Sequence, residues 1–239
     1  MYRNTFLSVM FLACCFNGSL CAQSDAQIYE RTCDAKTYPF SDPSPVATPN
    51  NSYYPYFRFD GFSMQAQEKQ WKMVVLENDY VKLTVTPEIG GKIWGAIDKV
   101  NNKEFVYTNG VVKFRDVAMR GPWTSGGIEF NFGIIGHAPT CSTPIDYLTK
   151  KNVDGSVSCH IFSYEWITRT VWNVEINLPK DKAYFTTHTT WFNQSSIDQP
   201  YYQWMNAGYA TKTGTRFYYP GTYSIGHSGD LHPYPIDEE

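Results

Sequence analysis

A chain of 239 residues, with 20 Lys+Arg against 23 Asp+Glu, has room for one large β domain or two small ones. Its charges form no long run of either sign, which excludes a nucleic-acid-binding stripe, an acidic tail and a polybasic membrane patch. The excess is aromatic, with 18 Tyr, 15 Phe and 7 Trp, residue types that favour strands and bury large areas.

The first 22 residues read as a signal peptide. Arg3 is the positive leader, residues 5–16 form an apolar stretch too short to span a bilayer comfortably, and "GSLCAQSD" offers cleavage after Ala22. A lipid anchor on Cys14, Cys15 or Cys21 is the second reading, although none of the three follows a clean lipobox. No later segment is apolar enough to cross a membrane, so the mature protein is expected to be exported, periplasmic or extracellular, without a membrane span. Cleavage leaves Cys33, Cys141 and Cys159. Cys141 and Cys159 are candidates for a disulfide across neighbouring strands, with Cys33 unpaired. No Cys/His spacing suits a metal, and no cofactor fingerprint is present.

Residues 23–68, rich in Pro, Ser, Asn and Tyr, read as an extended arm with one strand at 56–62, and residues 69–239 as a β-sandwich domain. Regular patterning begins near Trp71. In "YVKLTV" (80–85), Val81, Leu83 and Val85 share one face, which predicts a half-buried strand. A turn at 87–91, a strand at 92–99, a turn at 100–103 and a strand at 104–107 continue this as an antiparallel meander. Further strands are predicted at 127–132, 157–164, 167–176, 183–193, 202–210 and 215–219. No amphipathic helix and no internal repeat is found. The fold class is therefore all-β.

The chemistry concentrates in "RGPWTSGGIEFNFGIIGH" (120–137). If Ile128, Phe130 and Phe132 face the core, Glu129 and Asn131 face the other way, roughly 6–7 Å apart along the strand. Gly126 and Gly127 leave room for a ligand or another backbone, or mark a bulge. Trp123 precedes this pair and His137 follows it. A lone Glu on an outer strand face is more often simply solvated. In "YYQWMNAGYA" (201–210), Trp204 and Asn206 share a face, as a core tryptophan or as a second aromatic–amide pair. His227 lies between glycines in a loop, where binding groups are often carried. Asp116 and Arg120 read as a salt bridge at a cleft edge. His160 and His188 read as sheet residues. Serine-nucleophile, nucleotide-binding and zinc-protease motifs are missing.

Three blocks, "LTVTPEIGGKIWGAIDKVNNKEFVYTN", "RGPWTSGGIEFNFGIIGH" and "PYYQWMNAGYA…FYYPGTYSIGHSGD", resemble an exported family common in gut Bacteroidetes and known as domain of unknown function 5107. The resemblance runs from about Trp71 to the end. It implies a galactose-mutarotase-like supersandwich, often followed by tetratricopeptide repeats. The general signature of that superfamily is similar to the turn at 87–91 and the hairpin at 98–107. This chain departs from the family in length, reading as its N-terminal part with the sandwich incomplete at the C-terminus. The resemblance also implies a carbohydrate ligand on the concave face of one sheet. In mutarotases a glutamate removes a proton from the anomeric hydroxyl and a histidine protonates the ring oxygen, and Glu129 with His137 or His227 are the candidates here. Glycoside hydrolysis would require a second carboxyl, for which Asp116 or Asp230 would serve.

The expectation is thus a carbohydrate-active protein, an enzyme of glycosidase or epimerase type or else a non-catalytic sugar-binding module, with a protein-contact sandwich as a third reading. Glu129, His137 and His227 are the candidate catalytic groups. Arg120, Trp123, Asn131, Trp204 and Asn206 are the candidate substrate contacts. Glu129, Trp204 and His227 are expected to line one cavity, with the Glu129 carboxylate partly open to solvent.

Overall fold

The structure, a computed structural model, describes residues 24–41, 61–116, 122–132, 137–138, 140–165, 168–211, 214–226 and 228–234. The expected signal peptide and most of the strand expected at 56–62 lie outside these residues. Sixteen strands and no helix are found among them. In chain order they are β1 (Gln27–Tyr38), β2 (Gln67–Glu77), β3 (Val81–Thr86), β4 (Lys92–Asp98), β5 (Lys103–Val106), β6 (Val112–Lys113), β7 (Arg115–Asp116) and β8 (Pro122–Trp123). Then follow β9 (Ile128–Phe132), β10 (Asp146–Lys151), β11 (Val157–Glu165), β12 (Thr170–Leu178), β13 (Thr186–Asn193), β14 (Gln203–Ala207), β15 (Tyr223–Ile225) and β16 (Leu231–Pro233).

Eight strands form a curled half-barrel sheet in the order β14-β9-β4-β3-β2-β1-β6, with β5 also paired to β4. Four more, β10-β11-β12-β13, form an antiparallel sheet packed against it. The strip between the sheets is built by alternation. Val81, Leu83 and Val85 of β3, with Ile128, Phe130 and Phe132 of β9, meet Cys159 and Ile161 of β11 and Trp172, Val174 and Ile176 of β12. Phe132 stacks on Trp172 with ring centres 4.5 Å apart and planes 10° from parallel. A smaller cluster, including Trp71, Met73, Trp94 and Phe114, occupies the opposite face of the large sheet.

Three expectations change. The arm at 23–68 contains β1, a strand of 12 residues paired along its length with β2, so its first half is sheet. Its polar sequence hides this because most of β1 is exposed; only Ile28 packs on the central core, while Cys33 and Ala35 pack on the second cluster. No strand forms at 215–219. The rings of Phe217, Tyr218 and Tyr219 are exposed there, and pairing resumes only in the β15–β16 hairpin. Cys141 and Cys159 are both buried and unbonded. Cys159 points into the core, where burial pushes its thiol up to about 12. Cys141 sits between β9 and β10 with its thiol donating to the Pro122 carbonyl at 3.4 Å.

The glycines before β9 make room for backbone. Gly127 has φ +68°, its N–H donates to the Tyr107 carbonyl at 2.9 Å, and its carbonyl accepts from Gly208 at 2.8 Å. A Cβ here would collide with the Ile93 carbonyl. Strained φ and collision act together, so Gly127→Ala should lower unfolding free energy by about 1–3 kcal/mol in urea titration. A loss under about 0.5 kcal/mol, the range of ordinary surface changes, would show that the strand entry yields freely.

Candidate active site

β9 divides as its alternation requires. Ile128, Phe130 and Phe132 enter the core, and Glu129 and Asn131 project from the opposite face of the large sheet. β14 pairs along β9 with Asn206 opposite Glu129 and Trp204 opposite Asn131, so all four side chains belong to one face. The expected solvent access of Glu129 is not found, because its side chain is only 3 % exposed. It is not sealed in apolar packing, however. Asn131 Nδ2 donates to Glu129 Oε1 at 2.9 Å, and His137 Nδ1 lies 2.6 Å from the same oxygen.

This changes the role of Asn131. Its carbonyl oxygen accepts from the Ala138 backbone N–H at 2.8 Å while its amide holds Glu129. Fully buried, it orients the carboxylate and anchors the loop carrying His137, and is not the hydroxyl ligand expected. The group that reaches outward is His137, 18 % exposed. Its ring lies edge-on to two indoles, with centres 4.8 Å from Trp204 and 6.1 Å from Trp123. Both indole N–H groups and Glu129 Oε2 are buried without a hydrogen-bond partner among the described residues. Two donors and one acceptor therefore surround an imidazole whose Nδ1 is already engaged. Such atoms are costly to leave unmet and suit a ligand with both hydroxyl hydrogens and lone pairs.

A further component is Lys92, which the sequence shows only as part of an ordinary strand. Lys92 is 1 % exposed, and its ammonium donates to the Thr124 carbonyl at 2.7 Å and hydroxyl at 3.1 Å. Burial holds the Lys92 amine below the usual lysine range, and the nearby charge of Glu129 opposes that shift. A buried ammonium persists only when compensated. Glu129 supplies the opposite charge, while Thr124 ties Lys92 to the segment carrying Trp123. The sequence signal was parity: Ile93 enters the core, so Lys92 and Trp94 face the same way as Glu129.

Of the remaining candidates, Arg120 and His227 lie outside the described residues. Asn206 is half-buried across from Glu129. His160 and His188 flank Glu175 in the four-stranded sheet, with His160 Nε2 at 3.7 Å from its carboxylate, as sheet residues.

Fold and site together define a class: an all-β protein, built of a curled half-barrel sheet and smaller antiparallel sheets, with a carboxylate–imidazole pair set among tryptophans on the face turned away from its core. The chain belongs to the family described as domain of unknown function DUF5107, whose profile matches residues 48–239. It is also similar to a TPR-domain containing protein from Parabacteroides distasonis of known crystal structure. The two share 27 % identity and a TM-score of 0.70, over 77 % of this chain and 32 % of that one. The chain therefore spans about a third of the length of that relative.

Proposed function

We propose that the protein is an exported carbohydrate-active enzyme of galactose-mutarotase-like supersandwich fold, using Glu129 and His137 as a coupled proton-transfer pair on a sugar. The observation that carries this reading is the 2.6 Å contact of Glu129 Oε1 with His137 Nδ1 beside two indoles whose N–H groups are unmet. An ionised Glu129 accepts from Nδ1–H and thereby leaves Nε2 as the lone-pair acceptor. Nε2 then takes the proton of an anomeric hydroxyl. As the C1–ring-oxygen bond breaks, the imidazolium returns that proton to the ring oxygen, and the cycle balances with one histidine. Glu129 stabilises the intervening imidazolium, and the tryptophans supply ring faces and N–H donors to hydroxyls. The shuttle needs one carboxyl in contact with the imidazole, and Glu129 is that carboxyl.

The burial of Glu129 supports a second reading, a non-catalytic sugar-binding module in which the pair only positions Trp204 and Trp123. Glu129→Gln separates the two. If the pair catalyses, the variant keeps sugar affinity within a few-fold by calorimetry but slows anomer exchange, followed by NMR, about 100-fold or more. Unchanged exchange with bound sugar would leave the binding module. A glycan array on which the wild type finds no ligand would remove carbohydrate altogether.

A further inference from the structure

On the same face as the Glu129–His137 pair lies a cavity of about 380 Å³, within the size range of small-molecule sites. Trp71 and Phe114 contribute its aromatic wall, and Gln67, Lys69 and Glu88 contribute its polar rim. It adjoins the His137 site through two chain segments. Pro122 lines the cavity, and the next residue, Trp123, faces His137. Ser142 lines it too, and the preceding residue, Cys141, bonds Pro122 and lies within the electrostatic reach of Glu129 and Lys92.

The polar groups select a ligand class. The Lys69 ammonium sits 3.8 Å from the centre of the Trp71 ring, so cation and indole form one composite wall. The Trp71 N–H is already donated to the Thr37 hydroxyl at 2.9 Å, and the buried ring lies under the Lys69 ammonium, so it backs the cavity and leaves contact with a ligand to the rim. Glu88 is held by the Lys72 backbone N–H at 2.6 Å, which fixes a carboxylate on the rim. One cation, one anion and one amide around an aromatic wall suit a neutral polyhydroxylated ring. Lys69 and Glu88 balance in charge, so the rim carries no net charge that would call for an ionic ligand.

We infer that this cavity is a second sugar subsite, so that the ligand at His137 is the end unit of a neutral oligosaccharide whose next unit lies beyond Trp123. The inference rests on the carbohydrate reading of the His137 site.

The test is calorimetry on the full chain with gluco- and galacto-oligosaccharides of one to four units. A second occupied subsite should tighten binding at least tenfold between one unit and two or three. Gln67→Ala/Lys69→Met removes the rim donors while methionine still covers the Trp71 ring, and should bring that ratio to within about twofold of unity. Both positions are exposed, so the variant is expected to fold, and a matching thermal midpoint checks it. Monosaccharide binding with no gain from length would overturn the second subsite and leave the first. A length gain that survives the double variant would place the extra contacts elsewhere and overturn it equally. If no saccharide of any length binds, the carbohydrate reading itself falls.

Discussion

Trp172→Ala should lower the free energy of unfolding by about 3–5 kcal/mol, the range for removing a buried tryptophan from a core. Trp172 is 1 % exposed and stacks at 4.5 Å on Phe132, which is itself packed against Trp191 at 5.6 Å. The residue therefore joins the four-stranded sheet to β9, and its deletion leaves a void at the junction of both sheets. Trp172→Phe should cost less than half as much, because a ring still faces Phe132. Urea titration of the three proteins gives the comparison. A loss under about 1 kcal/mol for the alanine variant would mean that the sheets close over the gap, and that this stack does not hold them together.

The second large effect is electrostatic. Lys92→Met should destabilise by about 3–5 kcal/mol, because it leaves the Glu129 carboxylate buried without its compensating cation and Thr124 without its donor. The pair Lys92→Met/Glu129→Gln should recover part of this loss, with a coupling of about 1–3 kcal/mol in a double-mutant cycle. Strict additivity would show that the two charges do not support one another. The cycle also bears on function, because the carboxylate it probes is the one in contact with His137.

Much of the core between the two larger sheets is legible from alternation alone. Val81, Leu83 and Val85 enter the core as their parity requires, and parity also puts Glu129 and Asn131 opposite Phe130. The shared face of Trp204 and Asn206 follows by the same rule. Their placement beside Glu129 does not, because it depends on which strand pairs with β9. β1 and β10 are missed because their sequences are mostly polar and their residues mostly exposed, so neither presents a continuous apolar stripe. The burial of Glu129 and Lys92 is hidden for a different reason. A charged residue in a strand reads as solvated until its partners are known, and here those partners come from residues 124, 131 and 137. His137 is legible as a candidate, but its hold on the carboxylate depends on the fold.

The pairing of β14 with β9 fixes when the His137 environment can exist. Trp204 arrives on a strand far along the chain from Glu129, and joining them closes a long loop that includes the entire four-stranded sheet. Loop closure of that length is an entropic cost that local contacts cannot defray. A nascent polypeptide emerging in order would therefore carry an unfinished half-pocket until its residues near 207 were available. Fragments cut ahead of β14 should retain β11–β12 hairpin signals yet lack any organised surroundings for the imidazole.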